Sequence, residues 1–194
     1  YQPSENVQYS IQLLEGNPLD ELLKYAEEQQ FDLVLLGRKK EDQGTGLVPH
    51  KFARKSSRPV LFVPEAESQK LNKVFLPIDF SDYSNMSMDT AVELQQRDNS
   101  TAIFVHHLYQ VPVGGNVELG YSYLDLMDAF RVGAENSYER FIEPYREKGV
   151  QVEVTIEFDD LDNPAKQTYK KAKDEKADLI IMGSQGKTAA NAVL

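Results

Sequence analysis

Nothing constrains the fold of this chain more than a repeat within it. Residues Asn17–Gly37 match Asn163–Gly183 without a gap at an offset of 146. Asn17-Pro18 falls on Asn163-Pro164, Lys24 on Lys170, Ala26 on Ala172, Asp32-Leu33 on Asp178-Leu179 and Gly37 on Gly183. With one residue inserted, Val7, Tyr9, Ile11 and Leu13 also meet Val152, Val154, Ile156 and Phe158. Both of these leading segments alternate apolar and polar residues, the pattern of a half-buried strand. Leu19, Leu22, Leu23 and Ala26 then recur at helical spacing, as do Ala165, Thr168, Tyr169 and Ala172. Pro18 and Pro164 stand where a first helical turn needs no amide hydrogen. The near-continuous apolar runs Phe31–Leu36 and Ala177–Met182 follow, each ending at glycine, and such runs suit parallel strands covered on both faces. Each copy therefore reads strand, helix, strand, glycine: a parallel crossover unit.

A repeat of this length does not fit twice into 194 residues. The expected organisation is the later part of one domain at 1–66, a polar linker, and a second domain at 71–194 that stops before its last helix and strand. The first part would end with a strand at Arg58–Val63. The second would open with a strand at Lys73–Asp79 and a helix around Met86–Gln96. A strand at Thr101–Tyr109 and a long helix from about Gly120 to Lys148 would follow.

Composition narrows the classes of function. The 31 acidic residues outnumber 21 basic ones, for a net charge of −10, so the field repels phosphate backbones and argues against nucleic-acid binding. Gly37–Arg58 is the exception, with seven Lys or Arg against Glu41 and Asp42. It reads as the solvated face of a loop and helix, with an anion-binding patch as the rival. There is no cysteine, which excludes disulfides, thiolate metal sites and cysteine nucleophiles. No apolar run is long enough for a membrane span, and Tyr1–Ser10 lacks the blocks of a signal peptide. These features lead to an expectation of a cytoplasmic protein.

Three segments carry motifs. Val74-Phe75-Leu76-Pro77-Ile78-Asp79-Phe80-Ser81 is an apolar strand ending in Asp, with Ser shortly after. Phe104-Val105-His106-His107 is an apolar strand ending in His, and Met182-Gly183-Ser184-Gln185-Gly186-Lys187 begins a glycine loop after a strand. In an open parallel sheet, ligands sit beyond the carboxyl ends of strands where the strand order reverses, and a glycine loop entering a helix offers amides to phosphates. Blander readings stand beside these. Asp79 could shape the turn into a helix capped by Ser81 or Asp82. Gly183 and Gly186 could form only a tight turn. His106 and His107 point to opposite strand faces, so they cannot chelate one metal together, and core or rim roles suit them better.

In order and spacing the three segments resemble the universal stress protein family, over about Val7 to Leu194. That resemblance implies an α/β fold with an open parallel five-stranded sheet and helices on both faces, of the adenine-nucleotide alpha-hydrolase-like type, in two tandem copies that are both incomplete. It implies that the second domain binds ATP or a related adenine nucleotide, with or without Mg2+. The implied site comprises Asp79, Phe80, Ser81, His107, Met182, Gly183, Gly186 and Lys187. In it Asp79 meets the ribose or base, the His107 backbone meets adenine, and the glycines and Lys187 line the phosphates. The family's final Gly-Ser would fall beyond Leu194. The family also implies pairing through a domain's last strand, so Arg58–Val63 is expected to serve a homodimer or a domain-domain contact.

The first copy departs from the pattern. Lys40 replaces the second glycine, and Leu47 stands where a hydroxyl belongs after Gly46, in a loop four residues too short. Losing two charge-assisted hydrogen bonds costs about 3–6 kcal/mol, so no useful ATP affinity is expected there. Gly186-Lys187-Thr188 is not a Walker A loop, because Ile181 holds the place of its first glycine. No His-Glu-x-x-His pair or nucleophile elbow occurs, so the expectation is a ligand-binding stress-response protein rather than an enzyme, with slow ATP hydrolysis at most. Asp159, Asp160 and Asp162 suggest either a divalent ion or a solvated acidic turn. The rival function is a nucleotide-free scaffold or dimerising regulator of the same fold.

Overall fold

The computed structural model describes residues 8–38, 47–64, 71–111, 122–159 and 163–184. The chain divides into two compact units, Tyr1–Glu67 and Ser68–Leu194.

The first unit contains helix α1 (Pro18–Glu28), strand β1 (Val34–Arg38), helix α2 (Leu47–Lys55) and strand β2 (Val60–Pro64). Asn17 caps α1, its carboxamide oxygen accepting the Leu19 amide at 3.0 Å. β1 and β2 pair in parallel from Val34↔Val60 to Arg38↔Pro64. β1 lacks the cover on both faces that the run Phe31–Leu36 predicts, since Leu35 is 62% exposed, and on β2 Val63 is 44% exposed. The expected strand ending at Leu13 is also absent over residues 8–13, where Tyr9, Ile11 and Leu13 are exposed. An alternating pattern needs a neighbouring ladder to satisfy its amides, and the described residues offer none to this segment. At the basic stretch Lys51, Arg54 and Lys55 are exposed, and Arg58 pairs with Glu27 at 3.8 Å.

The second unit runs β3 (Lys73–Pro77), α3 (Asp82–Arg97), β4 (Ala102–Tyr109), α4 (Tyr123–Arg146), β5 (Val152–Phe158), α5 (Pro164–Asp174) and β6 (Leu179–Ile180). Its sheet is parallel with order β5-β4-β3-β6. The architecture is thus α/β with parallel sheets. The described residues give four strands here and two in the first unit, whereas the resemblance implies a five-stranded sheet of which each copy in this chain holds only part.

The repeat persists in local geometry. α5 begins and ends at the offset of 146 from α1, and Asn163 caps it as Asn17 caps α1. Each helix is followed at the same place by a left-handed residue, Gln30 (φ 52°) and Lys176 (φ 54°). Ala26 and Ala172 are buried alike.

Burial explains the layers. Val74, Leu76, Ile103 and Val105 face a cluster formed with Met88, Ala91 and Val92 of α3 and Tyr138, Phe141, Ile142 and Tyr145 of α4. Phe75 and Phe104 stack on the other face at 5.5 Å, with Ala172 of α5 against them. Central β3 is buried on both sides, which is why its sequence is a continuous apolar run. A charged rim borders Phe104: Lys73 Nζ meets Glu175 at 3.2 Å and Glu153 at 3.7 Å, and Lys171 Nζ meets Glu157 at 2.6 Å. Both ammonium groups lie over the Phe104 ring, at 5.4 and 5.9 Å.

Candidate functional site at the carboxyl end of the second sheet

β3 leads through α3 to β4 on one side, while the chain returns from β5 through α5 to β6 on its other side. The order therefore reverses at β3, and a crevice for ligands belongs at that end. Asp79, Phe80 and Ser81 continue directly from β3. On β4 the register sets His106 beside Pro77, so His107 lies level with Ile78 although its strand runs on to Tyr109. β6 joins β3 through Val74↔Leu179 and Phe75↔Ile180, and the Ile181 amide reaches the Phe75 carbonyl at 3.0 Å. Met182, 64% exposed, and Gly183 follow at once. Gly186 and Lys187 lie outside the described residues, as do Lys40 and Gly46 of the first unit.

Asp79 closes a small hydrogen-bonded ring. Its Oδ1 accepts the Ser81 amide at 3.0 Å and the Ser84 hydroxyl at 2.8 Å, while Ser84 Oγ accepts the Asp79 amide at 3.0 Å. Ser81 takes the N-cap position of α3, yet its hydroxyl makes no capping bond. That Oγ is buried and without a hydrogen-bond partner. A capping hydroxyl normally accepts an amide of the first turn, so this one is kept out of its usual role.

The two histidines diverge as their alternation requires. His107 Nδ1 donates to the Ile78 carbonyl at 2.9 Å, which fixes the proton on that nitrogen, and its ring lies 4.3 Å from that of Phe80. His106 is 1% exposed, bonds Thr155 Oγ1 at 3.2 Å through Nδ1 and sits 5.4 Å from the Phe75 ring. Burial pushes it down to about 4; Glu157 opposes this and Lys171 and His107 reinforce it. His106 is a core residue of the α5 face, and only His107 belongs to the candidate site.

The structure also brings in residues outside the sequence motifs. Ser84 completes the Asp79 ring, and Phe141 of α4 stands 6.0 Å from the Phe80 ring. A hydroxyl on the first turn of a helix, five residues after a strand-ending Asp, is the signal that could have found Ser84. Nothing local points to Phe141.

Of the acidic turn, only Asp159 lies among the described residues. Asp159 is buried, its Oδ2 accepting Gln110 Nε2 at 2.7 Å, which corrects the reading of a solvated turn for this residue. Asn163 caps α5, its carboxamide oxygen accepting the Lys166 amide at 3.0 Å. No group of three metal-ligating side chains occurs among the described residues. Asp160 and Asp162 lie outside them. No helix among the described residues is long and apolar enough to cross a membrane.

Residues 70–194 match the family model described as the universal stress protein family. Solved structures are similar in fold. One is a universal stress protein from Archaeoglobus fulgidus, at 18% identity and TM-score 0.56, covering 85% of this chain and 53% of that one. Another is universal stress protein UspA from Lactobacillus plantarum, at 18% identity and TM-score 0.51, covering 65% of this chain and 86% of that one. The chain thus spans about half the length of the Archaeoglobus protein. Among curated proteins, none matches it.

Proposed function

The chain belongs to the universal stress protein family, and from that premise we propose that its second unit binds ATP or a related adenine nucleotide beyond β3, as a ligand and not as a substrate. The observation that carries this reading is the reversal of strand order at β3, with the Asp79–Ser81 turn placed at it. The buried, unpartnered Ser81 hydroxyl at the start of the 16-residue α3 adds a polar group for a ligand to satisfy, where a helix terminus favours anions. Asp79 would orient the ribose or base, the His107 backbone would meet adenine, and Met182, Gly183, Gly186 and Lys187 would flank the phosphates, with or without Mg2+. Residues 1–66 would be the later part of a first, degenerate domain and 71–194 the second, in a tandem, cytoplasmic, stress-responsive protein. Pairing through β2 would give a homodimer or a domain-domain contact.

No described group is placed as a general base with an activated nucleophile, so any ATP hydrolysis would be slow. One observation favours the rival reading of a nucleotide-free scaffold: Asp79 Oδ1 already serves two bonds inside its own turn. Calorimetric titration of Mg-ATP into the full-length protein and its Asp79→Ala variant decides between them. One site per chain, lost in the variant, is expected. No heat at millimolar Mg-ATP would remove the nucleotide reading and leave the scaffold.

A further inference from the structure

The turn that carries Asp79 passes through a conformation its middle residue does not favour. Phe80 has a φ of 60°. There the Cβ of an L residue crowds the following carbonyl oxygen, and for a bulky side chain the conformation is an outlier. It persists only where the surroundings over-determine it. Two sets of contacts do so. Along the backbone, the ring of bonds among Asp79, Ser81 and Ser84 closes the turn. On the side-chain side, the Phe80 ring lies 4.3 Å from His107 and 6.0 Å from Phe141, packed against the core of the α3/α4 face. Glycine would accept the left-handed backbone without strain, yet it could not make the second set. A strained aromatic in place of glycine ties the turn to β4 and α4 at once.

We propose that Phe80 is a positioning residue: its ring, seated between His107 and Phe141, holds the left-handed turn that sets Asp79 and the amino end of α3 toward the ligand. The affinity of the site then depends on how α4 packs. Its ligand arm rests on the nucleotide reading above, and its ligand-free arm does not.

The test compares Phe80→Gly, Phe80→Ala and Phe80→Tyr in the full-length protein. Urea unfolding should place the midpoint of Phe80→Gly above that of Phe80→Ala, the reverse of the usual order, because only glycine escapes the left-handed penalty. Exchange of the Ser81 amide, followed by NMR, should quicken about tenfold or more in Phe80→Gly and stay at the wild-type rate in Phe80→Tyr. Mg-ATP affinity should fall about tenfold in Phe80→Gly and be kept by Phe80→Tyr. An alanine midpoint above glycine, or an unchanged Ser81 amide in Phe80→Gly, would overturn the assignment. So would a tyrosine variant that behaves like glycine, or unchanged affinity in Phe80→Gly. If the wild-type protein takes up no Mg-ATP, the nucleotide reading fails, and the unfolding order and amide exchange still decide the role of Phe80.

Discussion

His106 shows how one buried atom sets a property of the whole fold. Burial holds it near 4, below the ordinary 6.5, so the folded chain keeps it neutral where the unfolded chain binds a proton. The sign follows: its contribution is complete above about pH 6.5 and is lost as pH falls toward 4. The full shift corresponds to about 3 kcal/mol at most, and the charged rim of Lys171 and Glu157 nearby will modulate it. Urea midpoints between pH 7 and pH 4.5 should therefore fall more steeply in the wild type than in His106→Gln. Equal slopes would show that His106 is not the group that titrates.

Among the helices, α4 is the most explicitly built. Ser122 and Asp125 form a capping box, with the Ser122 hydroxyl accepting the Asp125 amide at 3.2 Å and the Asp125 carboxylate accepting the Ser122 amide at 3.1 Å. Ser122→Ala should cost about 1 kcal/mol in chemical unfolding, and a cost near zero would mean this end of α4 adds nothing to stability. At its other end, the Tyr145 hydroxyl donates to Asp89 at 3.0 Å and so ties α4 to α3. Burial and that carboxylate push the phenol up to about 12. Tyr145→Phe should lose about 1 kcal/mol, measured the same way. The elements were largely legible in the sequence, because caps, helical spacing and apolar runs are local signals. α5 follows from the repeat, and β3 follows from its unbroken apolar run. The segment ending at Leu13 misled because alternation marks a strand only where a neighbour completes the ladder. Phe80 was unreadable for the opposite reason: nothing in an Asp-Phe-Ser sequence signals a left-handed aromatic, which depends on the Ser84 ring of bonds and on the distant rings of His107 and Phe141. The rim of Lys73, Lys171 and their glutamates was equally hidden, since it joins β3, β5 and α5 from distant parts of the chain.

At the scale of the molecule, the two units are unequal. Of the buried apolar residues described, Ala26 and Phe52 lie in the first unit and the other 17 in the second. Phe52 is 1% exposed and is the first unit's one large buried side chain among the described residues. Phe52→Ala removes about 3–5 kcal/mol, more than a small core can spare. Calorimetry should then lose the heat of the first unit while the main transition, carried by the core around β3, keeps its temperature. A downward shift of the main transition would show that the two cores do not melt independently. The placement of β3 has one more consequence, for biogenesis. Its amino end is closed by the Asp178 carboxylate, which accepts the Asn72 and Lys73 amides at 2.8 and 3.0 Å from 106 and 105 residues away. A ribosome adding about 5–20 residues per second needs roughly 5–20 s to cross that gap. Throughout that interval the nascent sheet has β3, one of its two inner strands, exposed along one side, so chaperone demand should peak before Asp178 emerges.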